Sequence, residues 1–297
     1  MVTKASRIAL VHTKNHAEGV KKAIQILNIN PVRSKVVALK PNFNTADPFP
    51  ASTHNDTLQA LIASIKDLGA TSITVAERSG PSNTEDVMKK KGIFDMSKKL
   101  DFSLIDLDKS DSKSWVHRKP ESSHWSNGFN FARIYAETEC VVQTCCLKTH
   151  QYGGHFTISL KNSVGMVQRS FMNELHKSPY QRQMIAEINT AYTPDLILMD
   201  GIEAFVSGGP MVGNKVPANL VLAGTDRIAI DAVGVAMLRL LGTTPEVSRG
   251  TIFQQDQIAR AVELRLGVLS PTEIEFVTEN TVGKELAARL KNIILEH

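Results

Sequence analysis

Hydrophobic and polar positions alternate along this chain in blocks. Short apolar runs recur, separated by longer stretches in which apolar residues fall three or four positions apart. Ile8-Ala9-Leu10-Val11, Val36-Val37-Ala38-Leu39, Ile73-Thr74-Val75-Ala76, Leu196-Ile197-Leu198-Met199 and Leu220-Val221-Leu222-Ala223 have the character of buried strands. Phe102 to Leu107, Phe129 to Tyr135 and Ile274-Glu275-Phe276-Val277 read as further strands, and Val141-Val142 as the end of another. Helical spacing marks His16 to Leu27, a segment through Leu58, Leu61, Ile62 and Ile65 to Leu68, and one through Met184, Ile185 and Ile188 to Tyr192. Thr53-His54-Asn55-Asp56 and Ser82-Asn83-Thr84-Glu85 match capping boxes, and Ser178-Pro179 an N-cap followed by proline. Ile228 to Leu241 is apolar nearly all round and predicts a buried helix. Gln255 to Leu266 and Val282 to Ile294 are later helices.

This alternation predicts an α/β fold, a mostly parallel sheet with helices on both faces in three α/β/α layers. No repeat, low-complexity tract or linker divides the pattern. Residues 1–294 are therefore expected to form a single domain, with a loop-rich insertion near 108–130 that holds both tryptophans. Leu295-Glu296-His297 matches the start of a cloned affinity tag.

One stretch breaks the pattern. Cys145-Cys146-Leu147-Lys148-Thr149-His150-Gln151-Tyr152-Gly153-Gly154-His155 leads on to Leu160-Lys161-Asn162-Ser163-Val164-Gly165. Taken singly, each lysine suits a solvated surface, each histidine a structural hydrogen bond, and the glycines a turn. Together, behind a buried strand, they suit a site carried on a βα loop. In parallel sheets ligands bind beyond the carboxyl ends of the strands. The polar residues that follow the apolar runs are Lys40 and Asn42, then Glu77, Ser79 and Gly80, then Lys148 and His150. All are expected on one rim, joined by Lys161 and Asn162 and by Asp200 and Asp226 from the last two strong strands. Ser79-Gly80 before a helix would form an anion-binding nest. Asp226 has an alternative role, capping the buried helix. Asp231, inside that helix, requires a rim lysine or a polar pocket.

Composition narrows the function. A net charge of +4, with no long run of like charges and 6% aromatics, does not describe a nucleic-acid surface. There is no transmembrane-length apolar run and no apolar signal core, so a cytoplasmic protein without membrane contact is expected. The three cysteines, Cys140, Cys145 and Cys146, have no CxxC spacing and suit buried small hydrophobes in a reducing compartment. His54 lies in the first turn of a helix, where the dipole favours neutral imidazole. With Glu77 and His150 it offers ligand types for a divalent metal, although the spacings match no standard metal motif.

In their order, Lys40-Pro41-Asn42, Thr53-His54, Glu77-Arg78-Ser79-Gly80, Leu147-Lys148-Thr149-His150, Leu160-Lys161-Asn162 with Gly165, Asp200-Gly201, the Gly208-Gly209-Pro210 loop and Gly224-Thr225-Asp226 with Asp231 carry a resemblance. From about Val36 to Gly267 the chain resembles the domain of unknown function 362 family. Many members carry ferredoxin-type cysteines and are described as iron–sulfur proteins. The resemblance therefore implies a ferredoxin-type redox partner, but no iron–sulfur cluster for this chain, which lacks the cysteine motif. In layout alone the chain is also similar to the N-terminal part of the lactate racemase family, which works on a hydroxy acid with a nickel–pincer cofactor. That likeness implies Lys161 or Lys148 in the place of a cofactor-bearing lysine.

The function these readings lead to is an enzyme acting on a small carboxylate or phosphate. Lys40, Lys148 and Lys161 would hold the anion, with Asn42, Ser79, Gly80 and Asn162 around it. His150, or a lysine whose pKa is lowered by cationic neighbours, would be the general base. Glu77, Asp200 and Asp226 would orient the lysines or hold a metal. The alternatives are a non-catalytic metal- or cofactor-binding protein and a scaffold for a redox partner. A homodimer is left open.

Overall fold

The structure is a computed structural model that describes residues 5–296. Its strands are β1 (Ser6–His12), β2 (Val36–Lys40), β3 (Ser72–Glu77), β4 (Ser103–Asp106), β5 (Trp115–Arg118), β6 (Phe129–Ala132), β7 (Cys140–His150), β8 (His155–Thr157), β9 (Leu196–Gly208), β10 (Gly213–Gly224) and β11 (Ile274–Val277). A nine-stranded sheet has the order β11-β1-β10-β9-β7-β2-β3-β4, with β8 paired to β7. Strands β9, β7, β2, β3 and β4 run parallel, whereas β10 and β8 run against their neighbours. The result is the expected α/β architecture, mostly parallel, with helices on both faces. Helices His16–Leu27 and Asn55–Asp67 cover one face. Arg227–Leu241 covers the other, together with Thr281–Leu295 and Asp256–Glu263. All but the last turn of Arg227–Leu241 is buried, as its all-round apolar pattern requires.

Several elements differ from the sequence pattern. The segment from Cys145 to His150 is not a loop but the second half of β7, and every residue of β7 is buried. Polar side chains break its apolar run because that half of the strand borders a cavity. Strand β9 likewise runs past Asp200, which sits at a register shift: Cys146 pairs with Asp200, and the next residue, Leu147, pairs with Ala204. Strand β10 returns from β9 as an antiparallel hairpin, so its carboxyl end, and Asp226 with it, lies at the opposite rim. Both capping boxes shift by one residue. His54 caps through Nδ1 to the Asp56 N–H, and Asn83 caps through its side chain to the Asp86 N–H.

The segment near 108–130 carries the β5–β6 pair. Strand β6 ends at Ala132, where helix Arg133–Glu137 begins, so that Tyr135 can donate to the carbonyls of Leu39 and Ala76. Of the tail 295–297, Leu295 closes the last helix and His297 lies outside the described residues. Among the described residues no helix is long and apolar enough to cross a membrane.

Candidate functional site

The chain passes from β2 outward through β3 to β4, then returns to β7 on the other side of β2 and continues to β9. The strand order therefore reverses between β2 and β7, and open parallel sheets bind ligands at such a point, beyond the carboxyl ends of their strands. A cavity of about 500 Å³ lies there. Strand β2 stops at Lys40 while β7 continues to His150, and this overhang forms one wall. Lys40, Asn42, Glu77, Gly80, Lys148, His150, Lys161 and Asn162, all picked out from the sequence, line it.

Amide side chains hold the floor in register. Lys148 Nζ donates to Asn42 Oδ1 at 2.8 Å and to the Ala51 carbonyl. Asn42 Nδ2 donates to Asn162 Oδ1, and Asn162 Nδ2 to Gln143 Oε1 and the Thr144 carbonyl. Gln143 Nε2 then reaches Ser159 Oγ at 2.8 Å. The ammonium of Lys148 can only donate, so it dictates which way each amide faces. Lys161 and Asn162 sit on the short helix Ser159–Asn162. Asp231 accepts the N–H groups of Ser159 and Leu160, at 2.7 Å for the shortest. Asp231 thus meets neither a lysine nor an open pocket, because its carboxylate is used on the first turn of the helix that carries Lys161.

The charges are unevenly paired. Lys40 Nζ lies 2.6 Å from Glu77 Oε1, with both side chains buried. Glu77 also accepts the N–H groups of Phe43 and Arg78. Burial pushes the Glu77 carboxyl up and the Lys40 amine down, and each opposes the shift in the other. Gly165 packs over this pair, and a Cβ there would lie 2.8 Å from Lys40 Nζ. Arg169 is paired with Asp108. Among the described residues Arg78 forms no ion pair with a carboxylate, and it donates to the carbonyls of Val167, Ser79 and Val164. Burial, with Arg169 nearby, holds it down to about 10, still charged at neutral pH.

Lys161 has no hydrogen-bond acceptor or carboxylate among the described residues, although only 7% of it is exposed. Burial, then Lys148 and Arg78, lower its pKa to about 7. His150 stands beside it: a Cβ on Gly154 would lie 2.8 Å from Lys161 Cε and 2.9 Å from His150 Nδ1. The Gly154 N–H donates to His150 Nδ1, which leaves the ring proton on Nε2. Burial and the two lysines hold His150 far below its ordinary pKa, so it is neutral. His176 is held down by burial, Lys161 and Arg78. The arrangement joins fixed positive charge, a part-neutral amine and neutral imidazoles in one low-dielectric space, which suits anion binding and proton transfer.

Other expected members stand apart from the cavity or, like Gly80 on its wall, do not take the expected role. Ser79 and Gly80 form no open nest, because the Ser79 N–H donates to Thr84 Oγ1 and the Gly80 N–H to the Asn44 carbonyl. Asp226 caps helix Arg227–Leu241 through Ile228 and Ala229 and also accepts the Val268 N–H. Asp200 accepts from His16 Nδ1 at 2.7 Å and from the Thr57 hydroxyl. His54 stacks on that His16 ring, 3.9 Å between centroids, rather than meeting Glu77 and His150. Among the described residues no group of three or more His, Cys, Asp or Glu side chains is arranged to hold a metal.

The cysteines do not fit an iron–sulfur cluster. Cys145 and Cys146 face opposite sides of the sheet, and burial raises their pKa values, Cys146 to about 11, against the thiolate that ligation needs. Arg78 was visible in the sequence only within the family motif. Arg169 and His176 carried no local signal, since tertiary contact alone brings them to the cavity.

No curated protein matches the chain. Among solved structures, the lactate racemase apoprotein from Thermoanaerobacterium thermosaccharolyticum is similar over 75% of this chain and 54% of its own, at 15% identity and a TM-score of 0.46. The chain spans about half the length of that protein. A family model described as a domain of unknown function (DUF362) matches residues 37–236, and the chain belongs to that family.

Proposed function

We propose that this protein is an enzyme that takes a small carboxylate or phosphate anion into the cavity between β2 and β7, with the Lys161 amine as the group that accepts a proton from it. One observation carries the reading: Arg78, Lys148 and Lys161 border the same buried space, and among the described residues none of the three forms an ion pair with a carboxylate. A buried charge is costly unless paired, and a bound anion would supply the missing partner. The volume of about 500 Å³ lies within the range for small-molecule sites. Lys148 would hold the anion, its position set by Asn42. Lys161, partly neutral at pH 7, would take the proton, and the ammonium so formed would then face the charge left on the ligand. His150, neutral with its proton on Nε2, would donate a hydrogen bond, as neutral imidazole does where charge develops on oxygen.

The test is hydrogen exchange into small carboxylates and phosphorylated acids in deuterated water, read by NMR, alongside calorimetric binding. Exchange is expected to rise with pH through about 7 and to disappear in Lys161→Met. Binding to the wild type no tighter than to a Lys148→Met/Lys161→Met double variant would refute anion binding at this site. Tight binding without exchange would remove the catalytic part of the reading.

A further inference from the structure

We propose that Lys161 is a nucleophile that forms an imine with a small carbonyl compound bearing a carboxylate or phosphate. The inference rests on the anion-binding reading above and adds the substrate class. Three lysines border the cavity, and their partners separate them. Lys40 is held by Glu77 and the Pro41 carbonyl, and Lys148 by Asn42 and the Ala51 carbonyl. Lys161 alone of these has no acceptor among the described residues.

Its backbone is held by side chains from separate elements. Asp231 anchors the first turn of its helix, and the Asn162 amide ties the next residue to Gln143, Thr144 and Asn42. A positioned, desolvated amine beside other cations is the usual arrangement of an imine-forming lysine. The lowered amine pKa agrees with this geometry, since the attacking form is neutral. Lys148 and Arg78 supply positive charge for the acid group, and they are the cations that act most strongly on Lys161.

The step balances without a further reactant. The nitrogen lone pair attacks the carbonyl carbon and the C=O electron pair moves to oxygen. The oxygen takes up the two protons the amine gives up and leaves as water, and a C=N bond remains.

The experiment treats the full chain with glyoxylate and cyanoborohydride, whose hydride reduces the protonated imine to a stable secondary amine. Intact mass and peptide mapping follow. The expected result is one carboxymethyl group per chain, on Lys161, suppressed by excess glycolate, which has the acid but no carbonyl. Lys161→Arg keeps a positive charge and should lose the adduct, with its folded state read independently by urea unfolding. Glycolate binding with label scattered over surface lysines, or with label that glycolate does not suppress, overturns the imine and leaves the anion site standing. Absence of glycolate binding together with absence of the Lys161 adduct overturns both.

Discussion

Replacing Lys161 with methionine is expected to stabilise the protein at neutral pH. The two side chains are similar in length, so methionine can follow the lysine stem without opening a large void. What it removes is a buried charge without a partner. An amine moved from its ordinary value of 10.5 to about 7 on folding disfavours the charged folded form by on the order of 4–5 kcal/mol. The unfolded chain binds the extra proton between those two values, so wild-type stability must rise with pH across that window. The penalty is fully present below about 7 and fades towards 10.5. Urea unfolding of the two proteins, followed by the fluorescence of the buried Trp115 and Trp125, measures this directly. The variant should be the more stable by about 3–5 kcal/mol at pH 6–7, less for any relaxation or water entry at the site, and the gap should close as the pH approaches 10. Phosphate or a carboxylate that binds the cavity should narrow the gap from the other side, by stabilising the wild type more than the variant. A methionine variant that is less stable than wild type, or a gap that does not change with pH, would show that Lys161 has an acceptor, and both proposals for this lysine would fail.

Two further outcomes follow from the same contacts. Gly154→Ala places a methyl within 3 Å of Lys161 Cε and His150 Nδ1, so the buried His150 ring must shift, at a cost of about 1–3 kcal/mol in stability, and anion binding should weaken by about 10–100-fold; unchanged affinity by calorimetry would mean that these groups do not define the site. Glu77→Ala strands the buried Lys40 and should cost about 3–5 kcal/mol in urea unfolding, of which Lys40→Met in the same chain should restore a large part; a single-variant loss below about 1 kcal/mol would argue against the pair.

Much of the site was legible along the chain because its members follow apolar runs. Lys40 closing β2, Glu77 closing β3, and Lys148 and His150 at the end of β7 are read by rule once the sheet is taken as parallel. The same rule misplaced Asp226, because it assumes that β10 runs with its neighbours, and an apolar run has no direction until it pairs. It also took the end of β7 for a loop. Polar residues usually mark a turn, but here they border a cavity from within a strand held by β9 and β8.

By itself, then, the sequence determined the α/β class, most of the strand positions and eight of the 21 residues that line the cavity, since periodicity is a local property. Only the tertiary structure decided which lysine is left free. Lys148 is held by Asn42 and Ala51, 106 and 97 residues away, and Lys40 by Glu77 across the neighbouring strand. Charge pairing inside a cavity depends on distances between side chains from separate elements, and no local pattern records them.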